Sequence, residues 1–216
     1  AHRPRSPFLG QFDLFYTCEI LFYARPREQL HILKECSPLD TRPGLRGNWR
    51  ATAAASYFAA LFQRVCPPEA PHPELFDLLD SVLDFLPRSP QPLAGPLIAE
   101  LKLLQALGIS PALDACLACK RPIRADEMPC VFSRERGGLL CGACAGAADG
   151  GAAVLARDVL GVLRFWQAAA DARAAAACRC APAQLAKIAS ILDLFIQYHV
   201  EVKTPARAVA LSILGS

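Results

Sequence analysis

Two Cys-x-x-Cys knuckles constrain this chain more than anything else in it: Cys116-Leu-Ala-Cys119 and Cys141-Gly-Ala-Cys144, separated by residues 120–140. Each knuckle places two sulfurs on one tight turn, and two such turns facing each other form a tetrahedral S4 cage. Zinc suits that cage because it accepts four thiolates at about 2.3 Å and imposes no geometric demand from its d-electrons. The gap is close to the roughly 15–20 residues typical of paired knuckles. The intervening residues predict a small β-ribbon, with a strand over 129–133, a turn over 134–138 and a return through Leu139-Leu140. Gly137-Gly138 supply the positive φ such a turn needs. Four closed protein ligands leave no open coordination position, so the expected Zn²⁺ is structural and not catalytic.

Other uses of cysteine fit less well. The ten cysteines make an even number, but nothing resembles a secretory signal, and the apolar content is sufficient for folding without disulfide staples. A redox Cys-x-x-Cys comes singly on a βαβ unit, and no such unit is read here. Cys18, Cys36, Cys66, Cys130, Cys178 and Cys180 read as small buried hydrophobes. Among them, Cys130 is a competing ligand and Cys178-Arg-Cys180 a weak pair.

Hydrophobic residues make up 53% of the 216, which argues against disorder. The longest apolar candidate, 152–170, is broken by Arg157, Asp158 and Arg164, so no membrane span is expected. Net charge is only +3, yet its distribution is uneven: +4 over 1–68, −5 over 69–115, and +2 in each of 116–145 and 146–216. Basic regions at the N-terminal part and at the cysteine knuckles favour a polyanionic partner.

The chain opens without methionine on a basic stretch, Ala1-His2-Arg3-Pro4-Arg5-Ser6. Alternation over Gln11–Tyr23 predicts a half-buried strand, with Phe12, Leu14, Tyr16, Cys18, Ile20 and Phe22 on one face. A turn at 24–27 returns the chain as a second strand over Gln29–Cys36. A two-strand hairpin is marginal alone in water, so it requires helical partners or strands upstream of this chain. Residues 43–47 read as a linker and Asn48 as a helix N-cap. Helices follow with core stripes at Tyr57/Leu61/Val65 flanked by Phe58 and Phe62, at Leu75/Leu79/Val82/Leu86 behind Pro73, and over about 93–107 up to Gly108. After the ribbon, Leu155/Val159/Val162/Trp166 mark a fourth helix. Leu185/Ile188/Leu192/Phe195/His199 mark a fifth that begins at Pro182. Pro205 interrupts it, leaving Val209–Leu214 as a short apolar tail. His31 falls on the polar side of a strand, and His199 reads as a packed helix residue.

The run Leu107-Gly108-Ile-Ser-Pro111-Ala-Leu113-Asp-Ala-Cys116-Leu-Ala-Cys119, followed by Phe132-Ser133, Gly137-Gly138 and Cys141-Gly-Ala-Cys144, resembles the bacterial recombination mediator family RecO. Weaker matches are Glu74-Leu-Phe76, the basic stretch at 3–6 and Lys203-Thr-Pro-Ala-Arg207. The resemblance implies an α+β fold, mostly α: a partial N-terminal OB-fold fragment at 1–40, an α-helical domain at 41–216, and a zinc finger at 116–144 inserted within it. Residues 1–40 would form the later part of an OB barrel whose first strands are absent. One departure is Lys120, where relatives commonly carry glycine; it leaves the ligands untouched.

The resemblance further implies a cytoplasmic, nucleoid-associated DNA-repair protein without catalytic turnover. Such a protein binds single- and double-stranded DNA, anneals complementary strands, and works with RecR and the single-stranded-DNA-binding protein to load RecA. Arg3, Arg5, Arg25 and Arg27 fit phosphate contacts on the barrel side, with Phe15 and Tyr23 as stacking aromatics. Lys120, Arg121, Arg124, Arg134 and Arg136 form a second basic set around the ribbon. The acidic, apolar tail of a single-stranded-DNA-binding partner would need a hydrophobic groove with a basic rim, for which the last two helices offer Arg157, Arg164, Lys187 and Lys203. No Gly-rich phosphate loop, catalytic triad or paired carboxylate set is read, so no enzymatic activity is expected. The alternative is a zinc-stabilised adaptor that binds only protein, distinguished by the lack of salt-sensitive DNA affinity.

Overall fold

The computed structural model describes residues 8, 10–25, 30–66, 70–124, 130–147, 152–201 and 205–215. The chain divides into two compact units, Ala1–Gly47 and Asn48–Ser216.

In the first unit, β1 (Thr17–Tyr23) pairs antiparallel with β2 (Ile32–Asp40), with Ile20 opposite Cys36 and Tyr23 opposite Ile32. The first strand is shorter than the alternation predicts. Phe15 has φ 65°, a left-handed conformation that ends extended structure for a bulky residue. Arginine side chains hold the preceding loop. Arg42 Nη1 donates to Phe15 O (2.6 Å) and Thr17 Oγ1 (2.7 Å). Arg46 Nη2 pairs with Asp13 Oδ2 (2.6 Å), and its guanidinium lies 4.8 Å from the Tyr16 ring centre. The second strand starts later and runs further than expected, since the register carries Pro38 and Asp40 opposite Cys18 and Thr17. Residues 43–47, read as a linker, instead form a helical turn, α1 (Pro43–Arg46), started by the fixed φ of proline. Both hairpin faces are solvent-accessible: Ile20, Leu21, Phe22 and Tyr23 are 44–58% exposed. Among the described residues this unit has no further strand, so the hairpin alone does not establish the OB-fold fragment that the resemblance implies for 1–40. His31 lies just ahead of β2, where its ring stacks on Phe22 and its Nδ1 accepts the Arg25 N–H at 3.1 Å.

The second unit is helical with one small sheet. Asn48 caps α2 (Trp49–Val65), its side chain accepting the Ala51 N–H at 3.1 Å. Tyr57, Phe58, Leu61 and Phe62 form the buried stripe. Next come α3 (Pro73–Phe85), a tight turn over Leu86–Arg88 and α4 (Ala94–Ala106). The end of α4 is a Schellman motif. Gly108, at φ 72°, donates to Gln105 O (3.0 Å), and Ile109 donates to Leu104 O (3.0 Å). Helix α4 is buried almost all round through Leu97, Ile98, Leu101, Leu103 and Leu104, and it packs against α2 and α3. A helix so apolar on every side belongs at a domain centre.

A three-stranded sheet follows in the order β4-β3-β5, from β3 (Cys130–Ser133), β4 (Gly138–Leu140) and β5 (Ala152–Leu155). The two-strand ribbon expected from the sequence therefore gains a third strand, with Val154 opposite Val131 and Leu155 opposite Cys130. Leu155, expected on the fourth helix, is instead the last buried residue of β5. That helix, α5 (Arg157–Ala168), starts two residues later. The short α6 (Ala172–Ala175) is capped by Asp171 Oδ1 at 2.7 Å. Helix α7 (Pro182–His199) carries the expected stripe. Val209–Leu214, read as a short apolar tail, belong to a further helix that Pro205 opens, α8 (Pro205–Gly215), which packs against α2. No described helix is long and apolar enough to cross a membrane.

A buried polar network ties four of these helices together. Glu100 on α4 accepts the Tyr57 hydroxyl from α2 at 2.7 Å, and Arg207 from α8 through Nε (2.8 Å) and Nη2 (2.9 Å). Arg207 also donates to Ala189 O on α7 (2.9 Å) and lies 3.3 Å from Asp193 Oδ1. Burial, the largest influence, and the neighbouring Glu100 charge both push the Tyr57 hydroxyl above its usual ionisation range. It therefore serves as donor.

Candidate metal centre

The first knuckle is closed by backbone. Lys120 N–H donates to Cys116 O (2.8 Å), Cys116 N–H donates to Arg121 O (2.8 Å), and Lys120 takes φ 62°. That left-handed conformation is the one glycine adopts without strain, which explains why glycine suits this position in the family the sequence resembles. The second knuckle leaves β4 into a tight helical turn over Gly142–Ala147, with Cys144 N–H donating to Cys141 O at 2.9 Å. Reciprocal bonds, Ala112 N–H to Gly137 O (2.9 Å) and Leu139 N–H to Ala112 O (3.0 Å), lay the segment ahead of the first knuckle against β4. Gly138 is required there because a Cβ would collide with the Ala112 carbonyl oxygen. Gly137 supplies the positive φ expected of the turn.

The four knuckle sulfurs, Cys116, Cys119, Cys141 and Cys144, lie within 4.8 Å of one another, and Cys119 Sγ is 3.8 Å from Cys141 Sγ. A tetrahedral zinc tetrathiolate with bonds of about 2.3 Å requires S···S separations of about 3.8 Å. The donor set therefore fits zinc in number, chemistry and spacing.

The surroundings favour thiolates. Burial, the largest single influence on Cys116, opposes ionisation. Backbone N–H groups of Cys119, Cys141 and Ala118 outweigh it and draw the thiol down to about 6. Cys141 is also lowered, chiefly by the Cys144 backbone N–H. Arg121 Nη2 lies 3.8 Å from Cys141 Sγ, offsetting part of the charge that four thiolates leave around a divalent ion. Cys144 is pushed up to about 12, first by its contact with Cys141, because adjacent sulfurs cannot all ionise without a cation between them. Cys130 stays out of the cage. It is fully buried on β3, and burial pushes its thiol up. Cys180 is likewise structural, its backbone N–H and C=O both bonded to the Gln91 side chain.

The helical unit grips the ribbon through side chains that bind ribbon carbonyls. On α5, Arg164 donates to Leu113 O through Nε (3.0 Å) and Nη2 (2.7 Å), and to Ile123 O (2.8 Å). Gln167 Nε2, one turn on, donates to Pro111 O at 2.8 Å. At the end of α7, His199 Nε2–H donates to Arg134 O (2.6 Å), since a carbonyl only accepts. The His199 ring packs against the Gly137 turn, and Phe195 meets Phe132 at 6.2 Å between centroids. Arg164, expected as a rim charge for a partner groove, is thus spent on holding the ribbon. Nothing in sequence periodicity shows which carbonyl an arginine will reach, so the clamp was not legible there. Replacing Arg164 with Met is expected to weaken ribbon docking by roughly 2–3 kcal/mol. Hydrogen exchange should show faster amides over 111–124 and 130–140 with metal content retained.

The remaining candidate cations scatter. Lys120, Arg121, Arg124 and Arg136 are exposed around the ribbon, and Arg134 is half-buried, with Nε 3.6 Å from Glu135 Oε1. Arg25 is exposed on the hairpin of the first unit. Arg3, Arg5 and Arg27 lie outside the described residues.

Comparison with known proteins matches the Recombination protein O C-terminal family over residues 46–208. The DNA repair protein RecO of Anaeromyxobacter dehalogenans (strain 2CP-C) is 35% identical over 207 residues, covering 96% of this chain and 80% of the relative. That of Roseiflexus sp. (strain RS-1) is 32% identical over 207 residues, covering 93% and 69%. That of Syntrophus aciditrophicus is 31% identical over 144 residues, covering 67% of this chain and about half (55%) of the relative. The match runs from the α2 helix through the cysteine cage to α8, and the chain accordingly belongs to the RecO family of DNA repair proteins.

Proposed function

We propose that this chain is a non-enzymatic, zinc-stapled recombination mediator. It binds single- and double-stranded DNA, anneals complementary strands, and helps RecR and the single-stranded-DNA-binding protein load RecA in the cytoplasm. The observation that carries the reading is family membership combined with the cationic rim of the zinc ribbon. Lys120, Arg124 and Arg136 are exposed there and make no ion pair among the described residues. The ribbon is clamped to the helical unit, so its cations are displayed on a fixed frame and lose little freedom on meeting a phosphate backbone. The hairpin β1–β2 fits an OB-type sheet in this reading, because apolar residues exposed on both faces are what a strand pair within a larger sheet carries. Holding Zn²⁺ is the task of Cys116, Cys119, Cys141 and Cys144; the metal would supply folding free energy and no reactive position.

The test is titration of a labelled oligonucleotide at several salt concentrations. Log affinity should fall linearly with log salt. Lys120→Glu/Arg136→Glu should weaken binding by at least about tenfold and reduce the salt slope by about two. Weak, salt-insensitive binding unaffected by these changes would leave the protein-only adaptor.

A further inference from the structure

The start of α2 carries a feature that the ribbon and hairpin do not explain. Trp49, the first residue of that helix, is 64% exposed, while the other tryptophan, Trp166, is fully buried. An indole is the side chain a soluble domain gains most by covering. Arg50 places its guanidinium carbon 5.6 Å from the Trp49 ring centre. It makes no ion pair among the described residues. The other arginines nearby in sequence are committed: Arg42 to Phe15 O and Thr17, Arg46 to Asp13 and Tyr16. Helix α2 contains Arg50 and Arg64 and no acidic residue. By contrast, α3 carries Glu74, Asp77, Asp80 and Asp84 and no basic one. The exposed indole thus sits on the one of these two helices that attracts a polyanion.

We infer that Trp49 and Arg50 form a base-stacking contact for single-stranded nucleic acid, with the indole receiving a base and Arg50 the adjoining phosphate. The inference rests on the DNA-binding reading above and adds a contact outside the ribbon. Aromatic stacking tolerates any base because each presents a π face, and a neighbouring arginine adds charge where the backbone must pass. A protein partner would also use an exposed tryptophan. However, an uncompensated cation on a helix free of acidic residues matches phosphate better than the mixed rim of a protein interface.

Trp166 is buried beyond the reach of a base, so its emission is a constant background and the change in tryptophan emission on binding reports on Trp49. The whole chain is titrated with an unstructured oligothymidylate while emission and the anisotropy of a labelled strand are followed together. Emission is expected to fall in step with binding. Trp49→Ala should lose about 5- to 100-fold in affinity with the salt slope unchanged, Trp49→Phe should retain most of it, and Arg50→Gln should lower the slope by about one. Binding by anisotropy with unaltered tryptophan emission would overturn the stacking contact and leave DNA binding standing. So would full affinity in Trp49→Ala. Absence of any binding by the wild-type chain at low salt would overturn both.

Discussion

Cys116→Ser is expected to reduce bound zinc from about one ion per chain to near zero and to melt the ribbon. Cys116 is the most enclosed ligand, fully buried and served by three backbone N–H groups. A serine hydroxyl there neither ionises near neutral pH nor reaches a metal placed for the longer zinc–sulfur bond. Structural zinc contributes on the order of 10 kcal/mol to small zinc-dependent modules. The ribbon has few apolar residues of its own to replace that: chiefly Leu113, Ile123, Phe132, Leu139 and Leu140. The damage should extend beyond the ribbon, because Phe132 packs on Phe195 and the Arg164 and His199 donors lose their carbonyl partners when it opens. Metal analysis and hydrogen exchange on the same sample check this. The expected pattern is loss of metal, full exchange over 112–144 and partial loss of protection on the facing sides of α5 and α7. Cys130→Ser is the control and should keep the metal. A Cys116→Ser chain with wild-type zinc content, or a chelated wild type with a protected ribbon, would remove the zinc-staple account.

The cage was legible in the sequence because its information is local: spacing fixes two turns, and each turn brings two thiols to a set of four that could hold a metal ion. The helical stripes were legible for the same reason, as were the Asn48 cap and the Gly108 stop. What escaped depends on distant backbone. Leu155 fits the spacing of the helical stripe Leu155/Val159/Val162/Trp166, yet pairing with Cys130 on β3 makes it the end of strand β5. Phe15 was read as a strand residue because left-handed backbone at a phenylalanine follows from Arg42, far along the chain, and not from any local preference. Arg164 and His199 were visible as residues and invisible as clamps, since their partners are carbonyl groups, which every sequence contains. Glu100 did leave a trace. It is the one acid in the mostly apolar stretch 94–104, where Lys102 is the only other charge. A buried carboxylate demands a cation, but the sequence does not say that the cation is Arg207.

Arg207→Met is therefore expected to destabilise the helical unit by about 3–5 kcal/mol, lowering its melting temperature on the order of 10 °C. The substitution keeps the volume of the side-chain stem and removes only the charge and donors. It leaves Glu100, fully buried, with the Tyr57 hydroxyl as its remaining partner among the described residues. A carboxylate in that position loses the bidentate bonds that replaced its hydration, and the uncompensated charge accounts for most of the cost. Glu100→Leu should be less harmful, because Arg207 keeps Asp193 and the Ala189 carbonyl. Glu100→Leu combined with Arg207→Met should recover most of the single-variant loss, since no charge is then left buried, and adding Tyr57→Phe should remove the last orphaned donor. Chemical denaturation of the single, double and triple variants measures the coupling directly. Strict additivity of Glu100→Leu and Arg207→Met would mean that the two charges do not meet in solution. Strong recovery in the double variant would show that the network chiefly fixes how α2, α4, α7 and α8 fit together and adds little net stability. It would also locate the stability of the frame that presents the ribbon in the apolar packing around Leu97, Ile98 and Leu101.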